Sequence, residues 1–244
     1  MDFSDFESAF ALPLAEDTSF DTLVTGILVT LASFATPLAG VLLVGYVARL
    51  VRVGSRNATA LPTFDEVVGM VIEGTRLSAV LVLLQLPAVG IAVAVLQSAG
   101  ASLAALVYAA ETQSLQYLGL SAFVVVGLVA AGIAALVGTY LSAAATVALA
   151  REQSFTASVP VAQALAADAS FVSVVSAVAL VVFGGRLLAL LFGALPLGGT
   201  VLAGSASFLT LVASATLLGR GAPTSADRTV TQQLETNTDT IGSA

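Results

Sequence analysis

The sequence predicts an all-α fold, a polytopic membrane helix bundle of about five transmembrane helices with two interfacial amphipathic helices beside them. Two observations predict it. Hydrophobic residues make up 58% of the 244-residue chain and charged residues 9%, with a mean hydropathy of +1.02, whereas about a quarter of a soluble domain's residues are charged. The apolar residues also fall in five long runs, at about 22–48, 77–97, 118–150, 171–192 and 197–218, each able to supply the roughly 20 residues that a crossing helix needs.

Taken in order, residues 1–21 form an arm carrying Asp2, Asp5, Glu7, Glu16, Asp17 and Asp21. It is acidic where a secretory signal is basic, so no signal peptide is expected. The first run, Thr22 to Ala48, is interrupted only by Pro37. At 1.5 Å per residue it extends about 40 Å, more than one hydrocarbon thickness. A single tilted or kinked crossing is the simplest fit; the alternative is a re-entrant hairpin bent at Pro37, which would place the N-terminus inside. The stretch "PTFDEVVGMVIEGTR", Pro62 to Arg76, follows. Thr63 with Glu66 three residues on makes a capping box, and Phe64, Val67, Val68, Val71 and Ile72 share one helical face. This predicts an amphipathic helix lying on the membrane surface. Arg49, Arg52 and Arg56, just before it, are candidate lipid-phosphate contacts.

The second span carries Pro87, tolerable where neighbouring helices satisfy the freed carbonyl. Ser98 to Gln116 has an apolar core of about ten residues, short of the roughly 17 needed to span, and is expected to be an interfacial loop or short helix. The third span repeats small residues every four positions (Gly127, Ala131, Ala135; Ala130, Ala134, Gly138), a face for close helix packing. Beyond Arg151, Glu152 and Phe155, a second surface helix is expected with Val159, Ala162, Leu165 and Ala166 on one side. Both halves thus run long span, arginine, phenylalanine, surface helix, hairpin, a pattern consistent with a distant duplication in one orientation. The fourth and fifth spans are joined by the tight "GALPLGG". The membrane domain is expected to cover 22–220, with a polar, disordered tail over 221–244.

All eight basic residues are arginine, and histidine, cysteine and tryptophan are absent. With the N-terminus outside, Arg49, Arg52, Arg56, Arg76, Arg151, Arg220 and Arg228 fall on the inner side and no outer loop carries an arginine, as the positive-inside rule favours. A sixth span at Ser98–Gln116 would break that arrangement. The expected location is the cell membrane, multi-pass, with the C-terminus cytoplasmic. The acid excess without lysine suits a salt-rich cytoplasm, where screening is severe, and points to a halophilic archaeal source.

Arg186 is the one charge well inside a predicted span, where an arginine costs about 3 kcal/mol on insertion scales. It is read as an anion or substrate contact, as a side chain snorkelling to the headgroups past Gly184 and Gly185, or as half of an ion pair with Glu111, Asp17 or Asp21. Gln85, Thr139, Ser142, Thr146, Ser173 and Ser176 are expected to bond helix carbonyls or to bridge helix pairs. No HExxH, GxSxG or P-loop is present, and with neither histidine nor lysine the usual bases, metal ligands and phosphate anchors are missing. No catalytic residue, cofactor or metal is therefore expected, and Asp65 and Glu66 are explained by the capping box. A net charge of -7 with its one basic cluster against the membrane gives no expectation of nucleic-acid binding.

The segment "GYVARLVRVGSRNATALPTFDEVVGMVIEG", with the later "ALAREQSF" and "LPLGG" before "LLGRG", resembles an uncharacterised family of small polytopic membrane proteins frequent in haloarchaea, a domain of unknown function. The resemblance runs from Glu7 to Gly221. Its most specific piece is Gly45, Tyr46, Arg49 and Arg52 followed by Phe64 and Asp65. It implies a multi-span membrane protein and carries no catalytic residue. The function expected is that of a non-enzymatic membrane component or partner subunit, engaging the lipid bilayer and a second copy or a membrane protein partner. A small transporter or channel subunit is the alternative, and a membrane enzyme ranks third.

Overall fold

The structure is a computed structural model that describes residues 20–58, 60–98, 122–196 and 198–223. These are all-helical, with seven helices: α1 Phe20–Ser33, α2 Pro37–Ser55, α3 Val67–Ser98, α4 Ala122–Glu152, α5 Phe155–Ala166, α6 Ala169–Gly193 and α7 Gly199–Gly221. Five of them, α2, α3, α4, α6 and α7, are long and apolar enough to cross a membrane. The chain divides into two compact units, one of residues up to Leu77 and from Ala144 onward, the other Ser78–Ala143.

The first long run is two helices. Thr36 is extended (φ -136, ψ 129) and Pro37 opens α2. Proline keeps the residue before it out of the helical region and would clash with a carbonyl one turn back, but its missing N–H costs nothing at a helix start. The residues in contact fix the directions. Gly26 on α1 faces Phe208 and Leu31 faces Gly204, so ascending α1 descends α7. Tyr46 lies 6.0 Å from Phe208 between ring centroids and Gly54 faces Thr216, so α2 ascends with α7. The α1–α2 pair is therefore a helical hairpin closed at Phe34–Thr36, and the start of α1 lies at the same end of this unit as the end of α7. That replaces the single kinked crossing over 22–48. With 14 residues, α1 is about 21 Å long, short of a roughly 30 Å hydrocarbon core.

The separate surface helix expected at Thr63 is also corrected. Residues 60–66 are non-helical, and α3 then runs unbroken for 32 residues. Nothing between Val67 and Leu77 stops a helix, so the amphipathic stretch becomes the first turns of a membrane-length helix. Its side toward α2 is not the apolar face read from the sequence. Met70 is fully buried while Val67, Val68 and Ile72 are exposed, because Gly45 and Gly74 set the contact. A Cβ on either glycine would strike the partner helix's backbone, at the Met70 carbonyl or the Val41 carbonyl, so α2 and α3 touch backbone to backbone. The same device joins α2 to α7 through Gly54 and Gly219. Between these two contacts α2 buries Gly45, Tyr46, Ala48, Leu50, Val51 and Gly54 and forms the axis of the first unit.

In the second half a short helix does form. α5 ends at Ala166 and the Asp168 side chain accepts from the Ser170 backbone N–H at 2.9 Å, starting α6 anew. This N-cap is what the equivalent stretch in α3 lacks. α6 and α7 then pack as a hairpin, with Gly185 against Thr210 and Gly193 against Ala203. Gly198, at φ 85, makes the turn into α7, a conformation that glycine adopts without a steric penalty. In the second unit α3 keeps its helical course through Pro87. Gly127 packs on Val95 and Gly138 on Leu84 and Gln85, so one glycine of each small-residue face of α4 sits at a close contact, while Ala130 is exposed. The acidic arm before Phe20, the Ser98–Gln116 segment beyond Ser98 and the tail after Pro223 lie outside the described residues.

Candidate functional site

Two polar groupings stand out in the first unit. The first gathers arginines at the end where α2, α4 and α7 finish. Arg49 Nη2 meets Glu66 Oε2 at 3.0 Å, and Glu73 lies 4.0 Å from Arg49 Nε and 3.5 Å from Arg52 Nη2. Arg52 Nε also donates to the Ala150 carbonyl at 2.9 Å. Arg151 donates to the Pro223 and Ala222 carbonyls at 3.0 and 2.8 Å, and Arg220 to the Ala58 carbonyl at 3.5 Å. The last four carbonyls of a helix lack intrahelical donors and carry its negative dipole end. Arg52 answers those of α4, and Arg151 those just beyond α7. Arg49 and Arg52 therefore spend their guanidinium groups inward, on carboxylates and carbonyls, instead of standing free for phosphates as the sequence suggested. Arg56 stays exposed.

The specific block read from the sequence is one cluster here. Tyr46 is fully buried and stacks on Phe64 at 4.3 Å between centroids, 12° from parallel. Glu66, expected to close a capping box, instead reaches back to Arg49. Glu73, which ties both arginines together, was not singled out in the sequence. Its spacing three residues before Arg76 and one residue before Gly74 gives no hint that α2 lies alongside.

The second grouping surrounds Arg186. A groove of about 410 Å³ runs between α6 and α7, with α1, α2 and Thr146 of α4 completing its walls. Along α7 its lining advances by Ser207, Leu211, Ser214 and Leu218, one helical face, and Val178, Val182 and Arg186 face it from α6. Thr30, Ser33, Thr210 and Ser214 also line it, each hydroxyl donating to a carbonyl of its own helix. Among the described residues, Ser207 and Arg186 make no hydrogen bond, and Arg186 has no carboxylate within 4 Å. Asp21, one partner expected for it, is not paired with it; Glu111 and Asp17 lie outside the described residues. Gly185 leaves the space that Thr210 fills, which sets Arg186 beside Thr210, eleven residues from either end of α7. On α6 itself Arg186 lies seven residues from Gly193 and seventeen from Ala169, about 10 Å and about 26 Å, so the charge sits inside the helix pair but nearer its hairpin turn.

Gln85, Thr139, Ser173 and Ser176 behave as expected. Gln85 Nε2 donates to Thr139 Oγ1 at 3.2 Å inside the second unit, and Thr139 donates to the Ala135 carbonyl at 2.8 Å. Ser173 and Ser176 bond carbonyls of their own helix. Among the described residues no group of three or more acidic, histidine or cysteine side chains is placed to hold a metal.

A family model described as a protein of unknown function (DUF4013) matches residues 28–197, more than half of the chain. The chain belongs to this family. The DUF4013 match takes in the Gly45–Asp65 block, the "ALAREQSF" turn, all of α6 and Arg186. It is narrower than the resemblance read from the sequence, because the closing "LLGRG" at the end of α7 lies beyond it. No curated protein and no solved structure matches the chain.

Proposed function

We propose that this DUF4013 protein is a non-enzymatic, multi-pass component of the cell membrane that serves as a partner subunit. The observation that carries the proposal is the distribution of its side chains. Large apolar residues point outward along α6, among them Leu180, Phe183, Leu190 and Leu191, while Arg49, Arg52, Arg56, Arg151 and Arg220 collect at one end of the first unit, and all but Arg56 hold other segments there. An outward apolar surface suits lipid or another membrane helix. By the positive-inside rule the arginine end is cytoplasmic. The start of α1 shares that end with the end of α7, so Phe20 is assigned to the cytoplasmic side too, in place of the outside position counted from the sequence.

Because the chain has no cysteine, Asp21→Cys and Pro223→Cys give unique labels. An impermeant thiol reagent should reach both from the cytoplasmic side; labelling of the two from opposite sides would remove the hairpin topology. Purification through a tag should bring down one membrane protein in fixed stoichiometry. A second reading, a small transporter or channel subunit, draws on the groove around Arg186. Selective solute flux in proteoliposomes that disappears in Arg186→Ala would establish that reading over the first.

A further inference from the structure

We propose that the groove between α6 and α7 is a binding site for one anionic phospholipid, with its phosphate on Arg186 and Ser207 and an acyl chain laid along Val178, Val182, Leu211 and Leu218. The inference rests on reading α2, α6 and α7 as membrane-spanning. A guanidinium about 10 Å in from the end of a spanning helix needs a counter-charge, because an unpaired arginine inside a span costs up to about 3 kcal/mol on insertion scales. Among the described residues the protein supplies none. Snorkelling does not fully answer the need, since the nearer end of α6, Gly193, is seven residues on, about 10 Å along the axis, and an arginine side chain covers only part of that.

The groove itself argues for an amphiphile over a free anion. Its volume of about 410 Å³ falls in the range of sites for organic ligands, roughly 300–1,000 Å³, and far exceeds a phosphate ion. Its two unengaged donors, Arg186 and Ser207, line the same groove. From them an apolar face of α7 continues through Leu211 to Leu218, about 16 Å beyond Ser207 by helical rise. The hydroxyls of Thr30, Ser33, Thr210 and Ser214 have donated their protons to carbonyls, which leaves Arg186 as the charge that selects an anion. Arginine matches phosphate oxygens with a planar fork of donors.

The test is a titration of the full-length, delipidated protein in neutral detergent with phosphatidylglycerol, phosphatidylcholine or inorganic phosphate, read by native mass spectrometry and by thermal shift. One phosphatidylglycerol should bind and raise the melting temperature; phosphatidylcholine should bind at least tenfold more weakly and inorganic phosphate should have no effect. Arg186→Leu should lose at least tenfold in phosphatidylglycerol affinity and Arg186→Lys should keep most of it. Should Arg186→Leu fail to fold, Val182→Phe, which fills the apolar part of the groove, should lower the affinity severalfold. Equal binding of the two lipids, unchanged affinity in Arg186→Leu, or unchanged affinity in Val182→Phe would each overturn the proposal. An equal thermal shift with inorganic phosphate, abolished in Arg186→Leu, would assign the site to a free anion and overturn the lipid. Carbonate extraction of native membranes reports separately whether the chain is integral, so failure of the membrane reading is distinguishable from failure of the site.

Discussion

Replacing Gly45 by alanine tests the packing of the first unit most directly. A Cβ at this position meets the Met70 carbonyl and carbon and comes close to Gly74 N. These are backbone atoms of α3, which cannot rotate away, so the two helices must separate. Overpacking of a tight contact costs typically about 1–3 kcal/mol. Separation also loosens what is built on the contact, namely the Tyr46–Phe64 stack and the Arg49 and Arg52 pairs with Glu73, so the upper part of that range is expected. Gly40 is the matched control, five residues earlier on the same helix, where an added methyl would have nothing within 4 Å. There alanine should stabilise by about 0.5–1 kcal/mol through helix propensity alone. The two substitutions should therefore differ by roughly 2–4 kcal/mol, with opposite signs. Unfolding of the purified protein in mixed micelles by increasing sodium dodecyl sulfate, followed by far-ultraviolet circular dichroism, measures this difference. Adding Gly74→Ala to Gly45→Ala should cost much less than the sum of the two, because both methyls act on one interface. Equal effects at Gly40 and Gly45, or full additivity of Gly45 and Gly74, would refute the backbone contact.

Arg52→Lys should destabilise by about 1–3 kcal/mol in the same assay, since a single ammonium cannot bond the Ala150 carbonyl and Glu73 together as the guanidinium does. Tyr46→Phe should be neutral or slightly stabilising, because its buried hydroxyl has no hydrogen-bond partner among the described residues, while Tyr46→Ala should cost about 3–5 kcal/mol through the lost ring. Gln153, at φ 55 after the end of α4, should give up to about 1 kcal/mol of stabilisation on replacement by glycine, seen as a later unfolding midpoint. In the second unit, a double-mutant cycle of Gln85→Leu and Thr139→Ala should return a coupling of about 0.6 kcal/mol, the usual worth of a hydrogen bond between membrane helices.

The sequence by itself determined that the described residues are all-helical with five membrane-length helices, because an uninterrupted apolar run of that length has few other ways to satisfy its backbone. The family resemblance marked Gly45, Tyr46, Arg49, Arg52, Phe64 and Asp65 as one block, and the lack of any other charge inside a predicted span marked Arg186. Only the tertiary structure decided that Thr22 to Ala48 folds back on itself, that Glu66 leaves its capping box for Arg49, and that α3 runs on through the predicted surface helix. These outcomes depend on partners far away in the chain: Phe208 beside Gly26 and Tyr46, Gly74 against Gly45, Ala150 beneath Arg52. Local pattern fixes which segments are helical, because the hydrogen bonds of a helix span four residues. Which faces turn inward is set by where backbones can touch, and that depends on glycines that become neighbours only when the helices pack.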